Sequence, residues 1–119
     1  TIRGLHYQKK PSKEAKLVRC LKGKVWDVAV DLRLGSKTYT KWFATELCSK
    51  KANALLIPEG FGHGFQVLEE NSEILYLHSD NWIPELEAGI RWNDPTLNIK
   101  WPLKLGDISE RDSKFPLIR

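Results

Sequence analysis

Three stretches of this chain hold polar residues for which a packed core has no use. Arg3-Gly4-Leu5-His6-Tyr7-Gln8 lies near the start, Pro58-Glu59-Gly60-Phe61-Gly62-His63-Gly64-Phe65 in the middle, and Ile108-Ser109-Glu110-Arg111-Asp112 near the end. Singly, each has a plain explanation. A lone histidine in a strand is commonly a hydrogen-bonded structural residue, glycines around it can serve a turn, and a Glu-Arg-Asp run commonly sits in solvent. Together they supply the parts of a proton-transfer site. Histidine is a general base at neutral pH, and a neighbouring carboxylate fixes its tautomer and raises its basicity. Arginine and lysine hold phosphates or steady an enolate. A tyrosine facing the same pocket can return a proton from the other side. His6, Asp112, Arg3, Lys16, Arg111 and Tyr76 supply these residue types.

The elements that must position these groups are strands. Short alternating or β-branched runs separated by turn residues dominate the chain, which predicts an all-β sandwich or barrel. Residues 25–32 alternate, with Trp26, Val28, Val30 and Leu32 on one face and Asp27, Ala29 and Asp31 on the other. Further strands are expected at residues 16–21, 41–48, 54–57, 65–68 and 73–79, the last with Ile74, Tyr76 and His78 on one side. Residues 85–88 read as a single turn after Pro84. From about residue 89 the chain becomes a loop-rich arm, completing one domain over residues 1–119. One conflict arises at the start. In a regular strand Arg3 and His6 face opposite sides, so both reach one pocket only if the strand bends or bulges, which Gly4 permits.

With 41% hydrophobic and 29% charged residues, the 119-residue chain has the composition of a globular protein. Its net charge of +4 comes from basic residues scattered along the chain, without the concentrated basic face or motif of a nucleic-acid-binding domain. That mild balance suits a pocket for an anionic small molecule as well as it suits a solvated surface. No apolar run approaches the roughly 20 residues needed to span a bilayer. Neither nucleic acid nor membrane is therefore expected as a partner. Cys20 and Cys48 lack CxxC spacing and read as buried free thiols of a reducing compartment. With no basic-then-apolar leader at the start, a cytoplasmic location is expected. Five tryptophans on so short a chain also predict apolar surface shared with a partner subunit.

The segments RGLHYQ, KLVRCLKGKVWDVAVDLRLGSKTYTKW, IPEGFGHGF, EILYLHSDNW, GIRWNDPTLNIKWP and ISERD, in this order, closely resemble the dTDP-4-dehydrorhamnose 3,5-epimerase family. The resemblance runs from Thr1 to about Pro116. It implies a single cupin-type jelly roll (a double-stranded β-helix) that forms a homodimer. The implied reaction inverts carbon 3, carbon 5 or both in a nucleotide-linked 4-keto-6-deoxyhexose, with no cofactor and no metal. Carried over by motif, His6 is the base, Tyr76 the acid, Asp112 the partner of the base, and Lys16 the cation beside the substrate ketone. Arg3, His63, Glu87 and Arg111 fall at substrate-contacting positions, and Trp82 could stack on the nucleotide base. Family members carry a further region ahead of RGLHYQ that contacts the nucleotide and partly crosses to the neighbouring subunit. This sequence starts at the motif. Two other readings stand beside this one. A metal-dependent cupin is suggested by the PxGxxH pattern from Pro58 to His63, although the HxH of such sites is lacking. A sugar-nucleotide-binding relative without activity is the other.

Overall fold

The computed structural model describes residues 1–10, 13–79 and 84–118, and among these it is almost entirely β. The strands are β1 (Ile2–Gln8), β2 (Lys16–Lys22), β3 (Lys24–Asp31), β4 (Trp42–Cys48), β5 (Ala54–Ile57), β6 (Phe61–Val67), β7 (Glu73–His78) and β8 (Glu87–Gly89). They form two antiparallel sheets. One has the order β4-β3-β6-β1-β8 and the other β5-β2-β7. The fold is that of the cupin-type jelly roll. Among the described residues, no helix is long and apolar enough to cross a membrane.

The alternation read in residues 25–32 becomes β3, a strand buried on both faces. Val25 and Ala29 join Val18, Cys20, Leu47, Ile57 and Phe65 in the core between the sheets. On the opposite face Trp26, Val28 and Val30 pack with Leu5, Ile90, Leu97 and Trp101. The arm beyond residue 89 is thus a third layer, laid over the outer face of the five-stranded sheet. Each large aliphatic side chain buried this way contributes roughly 1.5–3 kcal/mol. Asp31, expected on the face opposite Trp26, is buried at the end of β3. There it accepts a two-pronged bond from Arg33 (both N···O distances 3.0 Å) and further bonds from Ser36 and Thr38. These donors, Arg33 foremost, hold its carboxyl well below the usual carboxylate range and anchor the β3–β4 turn. Cys20 and Cys48 are free and buried.

Two expectations need correction. Of the three glycines around His63, only Gly60 serves a turn, with φ +80° ahead of Phe61. Gly62 and Gly64 lie inside β6, which begins at Phe61 and runs through the middle of the larger sheet. Glycine occurs there because a Cβ at Gly64 would sit 2.7 Å from the Arg3 carbonyl oxygen and 2.8 Å from Leu5. Tertiary crowding, rather than turn formation, selects it. Residues 85–88, read as one turn, divide into a short 3-10 segment Pro84–Leu86 and strand β8, which carries Glu87.

Candidate active site

The conflict at Arg3 and His6 is resolved by a bulge in β1. Arg3 stands opposite Phe65 and His6 opposite His63, so two residues of β1 face the single Gly64 of β6. Directly opposed residues share a face, and Arg3 and His6 therefore both point into the space between the sheets. Gly4 makes the bulge with φ +123°, a conformation that suits glycine, and a Cβ there would lie 2.7 Å from the Gly64 Cα. The bulge also frees the Gly4 amide from the sheet ladder, and this amide donates to Asp112 Oδ2 at 3.2 Å.

Asp112 arrives from the far end of the chain on a single helical turn, Glu110–Ser113. Ser109 caps that turn by accepting from the Asp112 amide at 3.0 Å. Asp112 is 3% exposed, and its Oδ1 stands 3.0 Å from His6 Nε2. With Nε2–H donated to Asp112, the Nδ1 lone pair of His6 is turned to the cavity. Arg111 Nη2 lies 3.4 Å from Nδ1 and Glu87 Oε1 lies 3.5 Å from it. The guanidinium can cap the lone pair of the neutral ring, and the carboxylate can face the N–H that forms when the ring takes a proton. Phe115 packs edge-on to the His6 ring at 5.3 Å and fixes its plane.

The second sheet supplies the opposite wall. In β2 and β7, Lys16 pairs with His78 and Val18 with Tyr76, which places Lys16, Tyr76 and His78 on the inner face as the period of two requires. Burial pushes the Tyr76 phenol above its ordinary value, and the Asp27 charge adds to this while Arg3 opposes it. Burial lowers the Lys16 ammonium, against the pull of Glu14, Glu87 and Asp27. His63, 4% exposed, meets Asp27 Oδ1 at 2.6 Å, off the line of an ideal N–H···O bond. The His63 ring also stands edge-on to Tyr76 at 5.7 Å, bridging the two sheets.

Arg3, His6, Lys16, His63, Tyr76, Glu87, Arg111 and Asp112 all line one cavity of about 910 Å³. Every site residue expected from the sequence is thus brought together, save Trp82, which lies outside the described residues. Sequence reasoning missed Asp27, Glu14 and His78. Asp27 was legible only as the polar face of an alternating strand, and His78 only as the neighbour in register of Tyr76. Nothing in the sequence marked Glu14. A fully buried carboxylate such as Asp27 costs the fold several kcal/mol that an apolar residue would not. Among the described residues, no three His, Cys, Asp or Glu side chains gather as a metal site would require. The three histidines instead turn to three different carboxylates: Asp112, Asp27 and Glu14.

The sheets of a sandwich pack about 10 Å apart, so a ring-sized ligand between these walls would meet an imidazole on one side and a phenol on the other. The sequence profile of the family dTDP-4-dehydrorhamnose 3,5-epimerase matches residues 1–119. The chain belongs to the dTDP-4-dehydrorhamnose 3,5-epimerase family. It is 49% identical over 112 residues to the dTDP-4-dehydrorhamnose 3,5-epimerase of Pseudomonas aeruginosa, covering 93% of this chain and 61% of that one. The crystal structure of the corresponding epimerase of Elizabethkingia anophelis superposes with a TM-score of 0.95 at 41% identity, over 98% of this chain and 64% of that one. A Legionella pneumophila epimerase of this family, solved with dTDP-4-keto-L-rhamnose, gives a TM-score of 0.92 at 42% identity, over 98% of this chain and 62% of that one. The chain spans about 60% of the length of the curated relatives that it matches.

Proposed function

We propose that this chain carries the proton-transfer site of an epimerase acting on a dTDP-linked 4-keto-6-deoxyhexose. The observation that carries the reading is the placement of the Asp112-backed His6 and of Tyr76 on facing walls of one cavity. A C–H bond beside a ketone is acidic because the electron pair left behind spreads onto the ketone oxygen. His6 takes that proton at Nδ1, Asp112 holds the ring and stabilises its charged form, and Lys16 steadies the enolate oxygen. Such a charge is worth several kcal/mol in comparable oxyanion sites. Tyr76 then gives a proton to the opposite face of the same carbon, which inverts it. The reaction oxidises nothing overall and so needs no redox cofactor, and Lys16 brings to the enolate oxygen the positive charge that a metal would otherwise supply. Arg3, His63, Glu87 and Arg111 hold the sugar and its phosphates.

The test is incubation with a dTDP-linked 4-keto-6-deoxyhexose in heavy water, with NMR of the sugar protons. Deuterium should enter at carbon 3, carbon 5 or both, at an unchanged rate in EDTA. Binding without exchange would favour an inactive sugar-nucleotide-binding relative. Loss of exchange in EDTA would favour a metal-dependent cupin.

The same reading includes a homodimer in the cytoplasm. Its support is the outer face of the three-stranded sheet, where Leu17, Leu21, Leu56, Leu75 and Leu77 are 39–62% exposed. Four of the five tryptophans that suggested a partner do not carry this surface: Trp26 and Trp42 of the larger sheet pack with Trp101 and Trp92 of the C-terminal arm. Light scattering at micromolar concentration should give twice the chain mass, and Leu56→Lys with Leu77→Lys should shift it to one. A monomeric unsubstituted protein would refute the dimer.

A further inference from the structure

A third histidine–carboxylate pair lies at the side of the cavity opposite His6. His78 Nδ1 stands 3.2 Å from Glu14 Oε2, the His78 side chain being 43% exposed and that of Glu14 only 2%. The His78 ring lies 6.3 Å from the Tyr76 ring, inclined at 37° to it. Tyr76 is therefore flanked by two imidazoles, His63 and His78, each backed by a buried carboxylate. They differ in access. His63 is enclosed, with Nε2 against Asp27, whereas His78, its Nδ1 beside Glu14 and likewise off the line of an ideal N–H···O bond, lines the cavity with its side chain 43% exposed.

This asymmetry bears on a requirement of the proposed reaction, and the inference rests on that reading. Each inversion leaves an extra proton on His6 and removes one from Tyr76. Both must be reset before the next transfer. His6, with a quarter of its side chain exposed, can lose its proton to water. The phenolate of Tyr76 lies deeper in the cavity wall and needs a donor. We propose that His78, oriented by Glu14, returns a proton to Tyr76 after each transfer. In that step the N–H bond of the His78 imidazolium breaks at Nε2 and its electron pair stays on nitrogen. The proton crosses, through a cavity water, to Tyr76 Oη, where a new O–H bond forms. Neutral His78 is then recharged by hydronium or a buffer acid, while His6 releases the proton that it took. No net proton is gained. His78 acts through Tyr76 and makes no contact with the reacting carbon.

The test is rapid-quench kinetics of His78→Asn with the dTDP-linked keto-sugar. The variant should give a burst of about one product per site, then a steady state slowed on the order of tenfold, at the low end for loss of a proton donor. Added imidazole should restore the slow phase, and that phase should carry a larger solvent isotope effect than the unsubstituted protein. A rise in KM alone would make His78 a substrate contact and overturn the proposal. So would a steady state without burst or response to imidazole. If His78→Asn does not fold, Glu14→Gln carries the test. It keeps the imidazole and should slow the steady state roughly threefold, again with a larger isotope effect; an unchanged rate overturns the proposal. Failure of the underlying reading shows separately, as absence of inversion by the unsubstituted protein, and removes this proposal with it.

Discussion

His6→Ala is expected to lower solvent deuterium uptake at both carbons 3 and 5 by about 10²–10⁴-fold, the usual worth of a positioned general base. The size follows from the geometry. Of the other histidines of the cavity wall, His78 stands on the opposite sheet and His63 is enclosed at 4% exposure, so neither is placed to take over at the same face of the ligand. The alanine should fold, because the side chain is partly exposed and the β1 bulge depends on Gly4 and Gly64 rather than on the ring. Asp112→Asn should slow exchange without abolishing it, since the carboxylate orients and polarises the base but does not touch carbon. NMR of the sugar protons, with circular dichroism to confirm folding, reads all three proteins. Exchange at an unaltered rate in His6→Ala would end the mechanism, and a search for another base would follow.

Tyr76→Phe should fail differently. The base remains, so the enolate still forms and deuterium still enters. It enters from the His6 face, and configuration is retained. Product of inverted configuration should fall by a factor on the order of 10² or more, while exchange at the carbon falls far less. The substitution removes one hydroxyl and leaves the ring that packs beside His63 and Ile74 in the core, so stability should change little. The buried phenol gives up its proton with difficulty in isolation, burial and Asp27 both opposing its ionisation. It therefore serves as a donor only to a strongly basic carbanion, which is the species that His6 and Lys16 create. Equal loss of exchange in Tyr76→Phe and His6→Ala would refute the division of roles.

Residue patterns carried much of the fold and of the site. The period of two in residues 25–32 was enough to define β3 and its two faces, because that strand is regular from end to end. Tyr76 and His78 were readable as sharing a face for the same reason. Where regularity breaks, local reading stops. The Gly62-His63-Gly64 run looked like a turn because glycine's preference for turns is a local quantity. The crowding by Arg3 and Leu5 that places it in a central strand comes from a segment nearly sixty residues away in sequence. Asp27 was readable only as a member of the face opposite Trp26, because alternation alone cannot tell a solvated face from a buried one.

What the sequence determined by itself was the inventory of groups, their order along the chain and the strands that carry most of them. These depend on side-chain chemistry and on a two-residue period, and both are local. Which groups meet was decided only by tertiary structure. His6 and Asp112 are 106 residues apart, and their 3.0 Å approach depends on a one-residue bulge at Gly4, a capped turn at Ser109 and the arm that folds back beneath them. A shift of one residue in register turns every side chain of a strand to its other face. The pairing of β1 with β6, a long-range event, therefore decides whether Arg3 and His6 share a pocket at all.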